Sequence, residues 1–280
     1  MPARPSDDPL APLFRFGLRT LERLAAQAGV IELPGFEAGL PRGAEHGIVA
    51  TLLPLLRAST AREFHGNVLR LVAALGRRAW PVEVLWPLVE EALWAPRGGL
   101  AHLAAAQWLA DPRTRDARVR ALLARDASAI VLPRVFEHLH RRRQEDLDPY
   151  LTGRPVAGAF LTKRTVYVIP AQDGFHRWLP RQQRAFAGLL ERSFAAPRAS
   201  SWEKASVIKR LARLPITEVP ALVGYLQDAD VNVVEAALGA LVHLDAPAPA
   251  LPVLLDHLDG DRARVAMYAL PGWPACCRPA

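Results

Sequence analysis

Residues 219–244 read VPALVGYLQDADVNVVEAALGALVHL, and the architecture of the chain turns on them. In the first half, Leu222, Val223, Tyr225 and Leu226 recur at helical spacing, and the run stops at the polar break Asp228-Ala229-Asp230. A second apolar series follows, with Val234, Leu238, Leu241 and Val242 on one side of a helix. Asn232 with Glu235 three positions later matches a capping box, and the two aspartates before it suit both a turn and the positive start of a helix. The stretch is therefore a helix, a tight turn and a second helix.

The unit recurs. Thirty-two residues on, the opening returns as Leu251-Pro252 followed by VLLDHL, and the break returns after 31 residues as Asp259-Gly260-Asp261. About 30 residues back, Ile208, Leu211 and Leu214 take the places of Leu238, Leu241 and Leu244, and Ser200 with Glu203 forms another capping box. Pro180, favoured in a first helical turn, opens the helix before that, with Leu189 and Leu190 in the places of Leu222 and Val223. Fainter pairs are expected over 51–75, 82–109 and 116–142. A self-similar period near 30 residues is the mark of a repeat array, in which each pair leaves apolar flanks that only its neighbours can cover.

The outline LxxLLxxLxDxDxxVxxAAxxAL resembles the short HEAT repeats of the phycobilisome-lyase-like type, best over 220–241 and next best over 251–270, with Val234 standing where such repeats usually carry an arginine. The resemblance implies an all-α fold, an α-solenoid of stacked antiparallel helix pairs whose inner face commonly binds partners, and it implies no single reaction. A compact bundle of about ten helices is the alternative topology. The expected organisation is degenerate helical repeats over 1–148, a non-helical basic insertion over 149–178, HEAT-like repeats over 179–270 and an irregular tail over 271–280.

Composition narrows the function classes. With 51% apolar and 22% charged residues, the chain can bury a core. The start lacks the basic end and apolar run of a secretory signal, uncharged stretches are too short to cross a bilayer, and the only two cysteines are the adjacent Cys276 and Cys277. A cytoplasmic protein without membrane insertion or a disulfide framework is expected. The net charge of +7 is unevenly laid out: the blocks 1–110, 111–150, 151–215 and 216–280 carry +1, +2, +9 and −5. Such segregation suits an acidic partner or a polyanion, or a basic segment facing an acidic one in the same molecule. All but three of the 35 basic residues are arginine, which together with abundant Ala, Leu and Pro reflects a GC-rich genome as much as nucleic-acid binding.

Between 148 and 178 the helical period fails. Residues 156–161 and 165–169 are apolar and β-branched, with Thr162-Lys163-Arg164 able to turn between them, so a short β-hairpin is expected. Two readings of its aromatics stay open. Phe160, Tyr167, Phe175 and Trp178 could form a stacking platform beside arginines, or they could simply fill the small core that an insertion needs. The candidate partner-binding residues are Lys163, Arg164, Arg177, Trp178, Arg181, Arg184, Lys209, Arg210 and Arg213.

Reactive constellations are sparse. His138 and His140 lie two apart on a helix and point to different faces. Asp173 precedes His176 by three, which permits an acid and base pair but equally a turn closed by Asp173-Gly174. Glu90 and Glu91 point about 100° apart on a helix, and Trp80, Trp86, Trp94 and Trp108 are expected to pack between helix pairs. Neither nucleotide-binding glycine signature occurs. No cofactor is expected. The expected function is a non-catalytic HEAT-repeat scaffold for a protein partner with an acidic surface; the alternative is a nucleic-acid-binding α-solenoid, of DNA-repair type, using 151–215. The last helix breaks at Leu270-Pro271-Gly272 after about two turns; either this is a natural stop packed by Trp273, or the array is truncated or frame-shifted and Leu241, Val242, Leu254 and Leu255 lack part of their cover.

Overall fold

A computed structural model describes residues 44–58, 65, 66, 68, 69, 72, 73, 82–95 and 100–270. The tail 271–280 and Trp80 lie outside the described residues. The described chain is mostly helical with one two-stranded sheet, and no described helix is long and apolar enough to cross a membrane. It divides into two compact units, Met1–His138 with Ala157–Arg164, and Leu139–Val156 with Thr165–Ala280.

In the first unit, α1 (Ala44–Ala58) packs on α2 (Trp86–Trp94), and α2 packs on α3 (Ala101–Trp108). Ile48, Leu52 and Leu56, four apart, form the buried stripe of α1, and Leu88, Val89, Ala92 and Leu93 are buried in α2. The end of α3 exposes carbonyls that have no partner within the helix. Arginines at the start of α4 (Arg115–Arg125) take them: Arg115 donates to the carbonyls of Leu109 and Ala110 and Arg118 to that of Trp108, at 2.5–2.6 Å. Arg118 also lies 4.4 Å over the Trp86 ring and Arg125 3.8 Å over Trp94. These tryptophans are half-buried under guanidinium groups, a cation–π arrangement. Glu90 and Glu91 diverge as their spacing requires, to Arg125 and Arg57 respectively. The chain passes into the second unit within the helix that follows, α5 (Pro133–Arg142), and returns to the first unit for residues 157–164.

Those returning residues are held by main-chain contacts. The Asp126 carboxylate accepts from the Ala159 N–H at 2.7 Å and from the amide and hydroxyl of Ser128, whose oxygen in turn accepts from the Phe160 N–H. Burial pushes the Asp126 pKa up, but these hydrogen bonds outweigh it and leave the carboxyl below the usual range. Gly158 passes so close that a Cβ there would overlap the Asp126 carboxylate and the Ser128 hydroxyl. The hairpin is shorter than its sequence suggests for this reason. Only β1 (Pro155–Val156) and β2 (Thr165–Val166) pair, Pro155 opposite Val166 and Val156 opposite Thr165, because the residues between them are hydrogen-bonded elsewhere.

The second unit contains α6 (Asp148–Leu151), α7 (Pro180–Phe194), α8 (Ser201–Leu211), α9 (Val219–Val223), α10 (Val231–Ala240), α11 (Leu251–Asp256) and α12 (Ala263–Ala269). Pro180 opens α7, and Ser200 and Glu203 form the expected reciprocal cap on α8. On α10 the cap is Asp230 and not Asn232: the helix starts at Val231, so the Asp230 carboxylate is the group that reaches the Asn232 N–H, at 2.9 Å. Helix α7 packs on α8, α8 on α10 and α10 on α12. Leu241 and Leu254 are wholly buried and Val242 nearly so. The expected lack of cover is therefore confined to Leu255, which is 48% exposed; α12, although only seven residues long, packs directly on α10.

Two glutamines at the start of α7 hold the irregular segment that precedes it. Gln183, 4% exposed, donates through its one amide nitrogen to the carbonyls of Phe175 (2.9 Å) and Trp178 (3.0 Å). Gln182 donates to the carbonyl of Gln144 and the carboxylate of Asp148 and accepts from the Leu179 N–H. An unsatisfied buried carbonyl costs roughly 1–3 kcal/mol, whereas loss of an exposed N-cap costs about 1 kcal/mol. Gln183→Leu is therefore expected to lower unfolding free energy in urea by about 1–3 kcal/mol. Ser200→Ala should lower it by about 1 kcal/mol.

Candidate functional site

Helices α8 and α10 run side by side in the same direction. At their starts the Ser201 hydroxyl donates to the Asp230 carboxylate. At their ends Lys209 and Arg213 stand close enough to His243 for their charges to disfavour its protonation. Along this seam the α10 side chains are small: Ala236, Gly239 and Ala240, at i, i+3 and i+4, fall on one face. Larger groups rise on either side, Trp202, Lys209 and Arg213 from the α8 side and Val265 from α12. The result is a groove of about 570 Å³, floored by small residues and also lined by Ser201, Asn232 and Glu235. Trp202, 78% exposed, stands at its upper end.

A second hollow of about 310 Å³ shares Arg213 and His243 with the groove and continues past them to Asp173, His176 and Asp245. Charge therefore alternates along the seam: Glu235, then Lys209, Arg213 and His243, then Asp173 and Asp245. Burial, followed by the charges of Arg213 and Lys209, holds His243 below the ordinary histidine value. The described residues lining the seam contain a single hydroxyl, Ser201, and it is already bonded to Asp230. Among the described residues no group of three His, Cys, Asp or Glu could hold a metal ion.

The nine basic and aromatic residues singled out by sequence are dispersed. Lys163 and Arg164, both exposed, belong to the first unit. Arg181 pairs with Asp148 at 2.9 Å, while Arg177 and Arg184 are exposed. Arg210 turns inward to donate to the Ile169 carbonyl at 3.2 Å and lies 5.9 Å over the Phe186 ring. Lys209 and Arg213 are brought together in the groove. Trp178 is 3% exposed and packs edge-on against Phe175, Phe186 and His140 at centroid distances of 5.2–5.5 Å. Phe175 is buried in the same cluster, Phe160 packs on Trp94 in the first unit, and burial pushes the Tyr167 phenol up to about 12. These aromatics fill cores. The groove's own indole, Trp202, and its small-residue floor went unnoticed in the sequence; the i, i+3, i+4 spacing of Ala236, Gly239 and Ala240 was the available signal.

His138 and His140 serve separate environments. His138 meets Asp116 at 3.0 Å in the first unit, and His140 accepts from the Trp178 indole N–H through Nδ1 at 3.1 Å in the second. That bond places the neutral ring's proton on Nε2. Burial lowers the His140 pKa, helped by the charges of Arg141 and Arg177 and opposed by Asp173. Gly174, at φ +75°, lets the backbone pass this ring, where a Cβ would stand 3.1 Å from Nε2. No family model, curated protein or solved structure matches the chain.

Two outcomes follow from this geometry. His140 and His243 both bind protons less readily in the folded chain than their ordinary value of 6.5. The folded state is then favoured fully above pH 6.5 and loses stability as pH falls through that value towards the folded pKa values. Melting temperature should drop on acidification below that point, and His140→Gln, whose amide oxygen can still accept from Trp178, should flatten the drop. At Gly239 an added Cβ would find only Val265 Cγ1, at 3.9 Å. Gly239→Gln should thus raise unfolding free energy by about 0.5–1 kcal/mol in urea, through helix propensity, while filling the groove.

Proposed function

We propose that the chain is a non-catalytic helical-repeat scaffold, a HEAT-like α-solenoid whose seam between α8 and α10 receives a protein partner. One observation carries the reading: α10 packs between α8 and α12, and the seam presents a groove with an exposed indole beside a lining of small residues. In a stacked array the apolar flanks of each pair are used up by its neighbours, which leaves the face made by the second helices free to specialise. An exposed tryptophan beside cationic side chains is the composition that protein interfaces favour at their energetic centres.

The nucleic-acid reading needs a continuous basic track. The cations of 151–215 are instead distributed between two units, between exposed and inward-facing positions, and the seam itself interposes Glu235, Asp173 and Asp245. A phosphate backbone laid along it would meet those carboxylates. Weak association with duplex DNA, lost at physiological salt, is the expected outcome; each phosphate neutralised would contribute about 0.9 to the logarithmic salt slope.

A photo-crosslinking residue at position 202 tests the reading in native cell extract. The scaffold predicts discrete protein adducts that vanish when Gly239→Gln fills the groove, and none from the same probe at Arg184 on α7. Equal adducts at both positions, or a salt-resistant nucleic-acid adduct at 202, would overturn it.

A further inference from the structure

We propose that the α8–α10 groove takes a short extended peptide that sets one carboxylate between Lys209, Arg213 and His243, with an apolar side chain about three residues away against Trp202. This rests on the scaffold reading and specifies its ligand.

Charge complementarity carries the inference. Some arginines of the chain meet carboxylates, Arg57 with Glu91, Arg125 with Glu90 and Arg181 with Asp148, and others, Arg115, Arg118 and Arg210, donate to backbone carbonyls. Lys209, in the last turn of α8, and Arg213, two residues past its end, both line the groove and, among the described residues, have no carboxylate ion-pair partner. The Arg213 guanidinium donates to the Gln172 carbonyl at 3.3 Å. Two cations and an imidazole held together in a concave site repel one another, and the depressed His243 pKa registers that repulsion along with burial. An incoming anion relieves it.

The surrounding charges set the size of that anion. Glu235 lies on one side of the cationic cluster and Asp173 and Asp245 on the other, so a single carboxylate is accommodated and a run of negative charges is turned away. The spacing sets the motif. Trp202 and Lys209 are seven helical residues apart, about 10 Å at 1.5 Å per residue. Extended chain covers that distance in about three residues. The small floor of Ala236, Gly239 and Ala240 leaves room for a peptide backbone between the two anchors.

Selection of a phage-displayed random peptide library on the immobilised full chain tests this. The expected result is enrichment of peptides with an aromatic or aliphatic residue about three positions from an aspartate or glutamate. As synthetic peptides they should bind at least about tenfold more weakly to the Lys209→Glu, Arg213→Glu double variant and to Trp202→Ala, with melting temperatures unchanged. Enriched peptides lacking an acidic residue, or binding untouched by charge reversal, overturn the carboxylate clamp; if Gly239→Gln still abolishes their binding, the groove as partner site survives. A library that enriches nothing above an unrelated helical control also overturns the clamp. Oligonucleotide binding that depends on the groove would sink the clamp and the protein-scaffold reading together.

Discussion

The second unit depends on α10 being apolar around too much of its circumference for one neighbour to cover. Val233, Val234, Ala236, Ala237, Leu238 and Ala240 are all buried, and they are shared among α8, α9 and α12. A helix of this kind has no stable existence in an isolated pair, because its second flank would remain in water at a cost of roughly 25 cal/mol per Å². The packing of α10 against α8, α9 and α12 is the direct consequence. So is the groove, since the strip of α10 facing the open side carries residues too small to fill the space between its taller neighbours.

A second constraint acts where regular structure stops. The segment between β2 and α7 buries Phe175 and Trp178, and in doing so it takes their carbonyls away from water. Backbone acceptors buried in irregular chain have no ladder to join, so side chains must supply the donors. Gln183 does this for both carbonyls with one amide nitrogen, and Gln182 does it for the turn before α6. The aromatic cluster and the glutamine pair are thus two halves of one solution. Apolar burial supplies the drive, and the amides remove the penalty.

Much of this was legible in advance, and the rest was hidden for physical reasons. The helices within 179–270, the Ser200 cap and the short α12 follow from periodicity and local capping chemistry, which need only near neighbours in sequence. The cap on α10 was displaced by two residues because Asp228, Asp230 and Asn232 all have capping side chains, and only the helix start chooses among them. Gln182 and Gln183 read as ordinary surface residues until the segment they hold is folded against them. The +9 block looked like a coherent patch, yet charge summed along a chain says nothing about facing: Arg210 turns inward, Arg181 is neutralised by Asp148, and Lys163 and Arg164 travel with the other unit.

The attachment of residues 157–164 has a bearing on how such a chain can change over generations. Asp126 and Ser128 grip the segment by the amides of Ala159 and Phe160, groups common to every amino acid but proline. Nothing in that grip reads the side chains of Thr162, Lys163 or Arg164, so those positions can drift without loosening it. Gly158 alone is spelled by the contact, because any larger residue would drive the loop off the carboxylate. The loop is thereby a place where new surface chemistry can be tried at small risk to the fold, provided Asp126, Ser128 and the glycine at 158 keep their places.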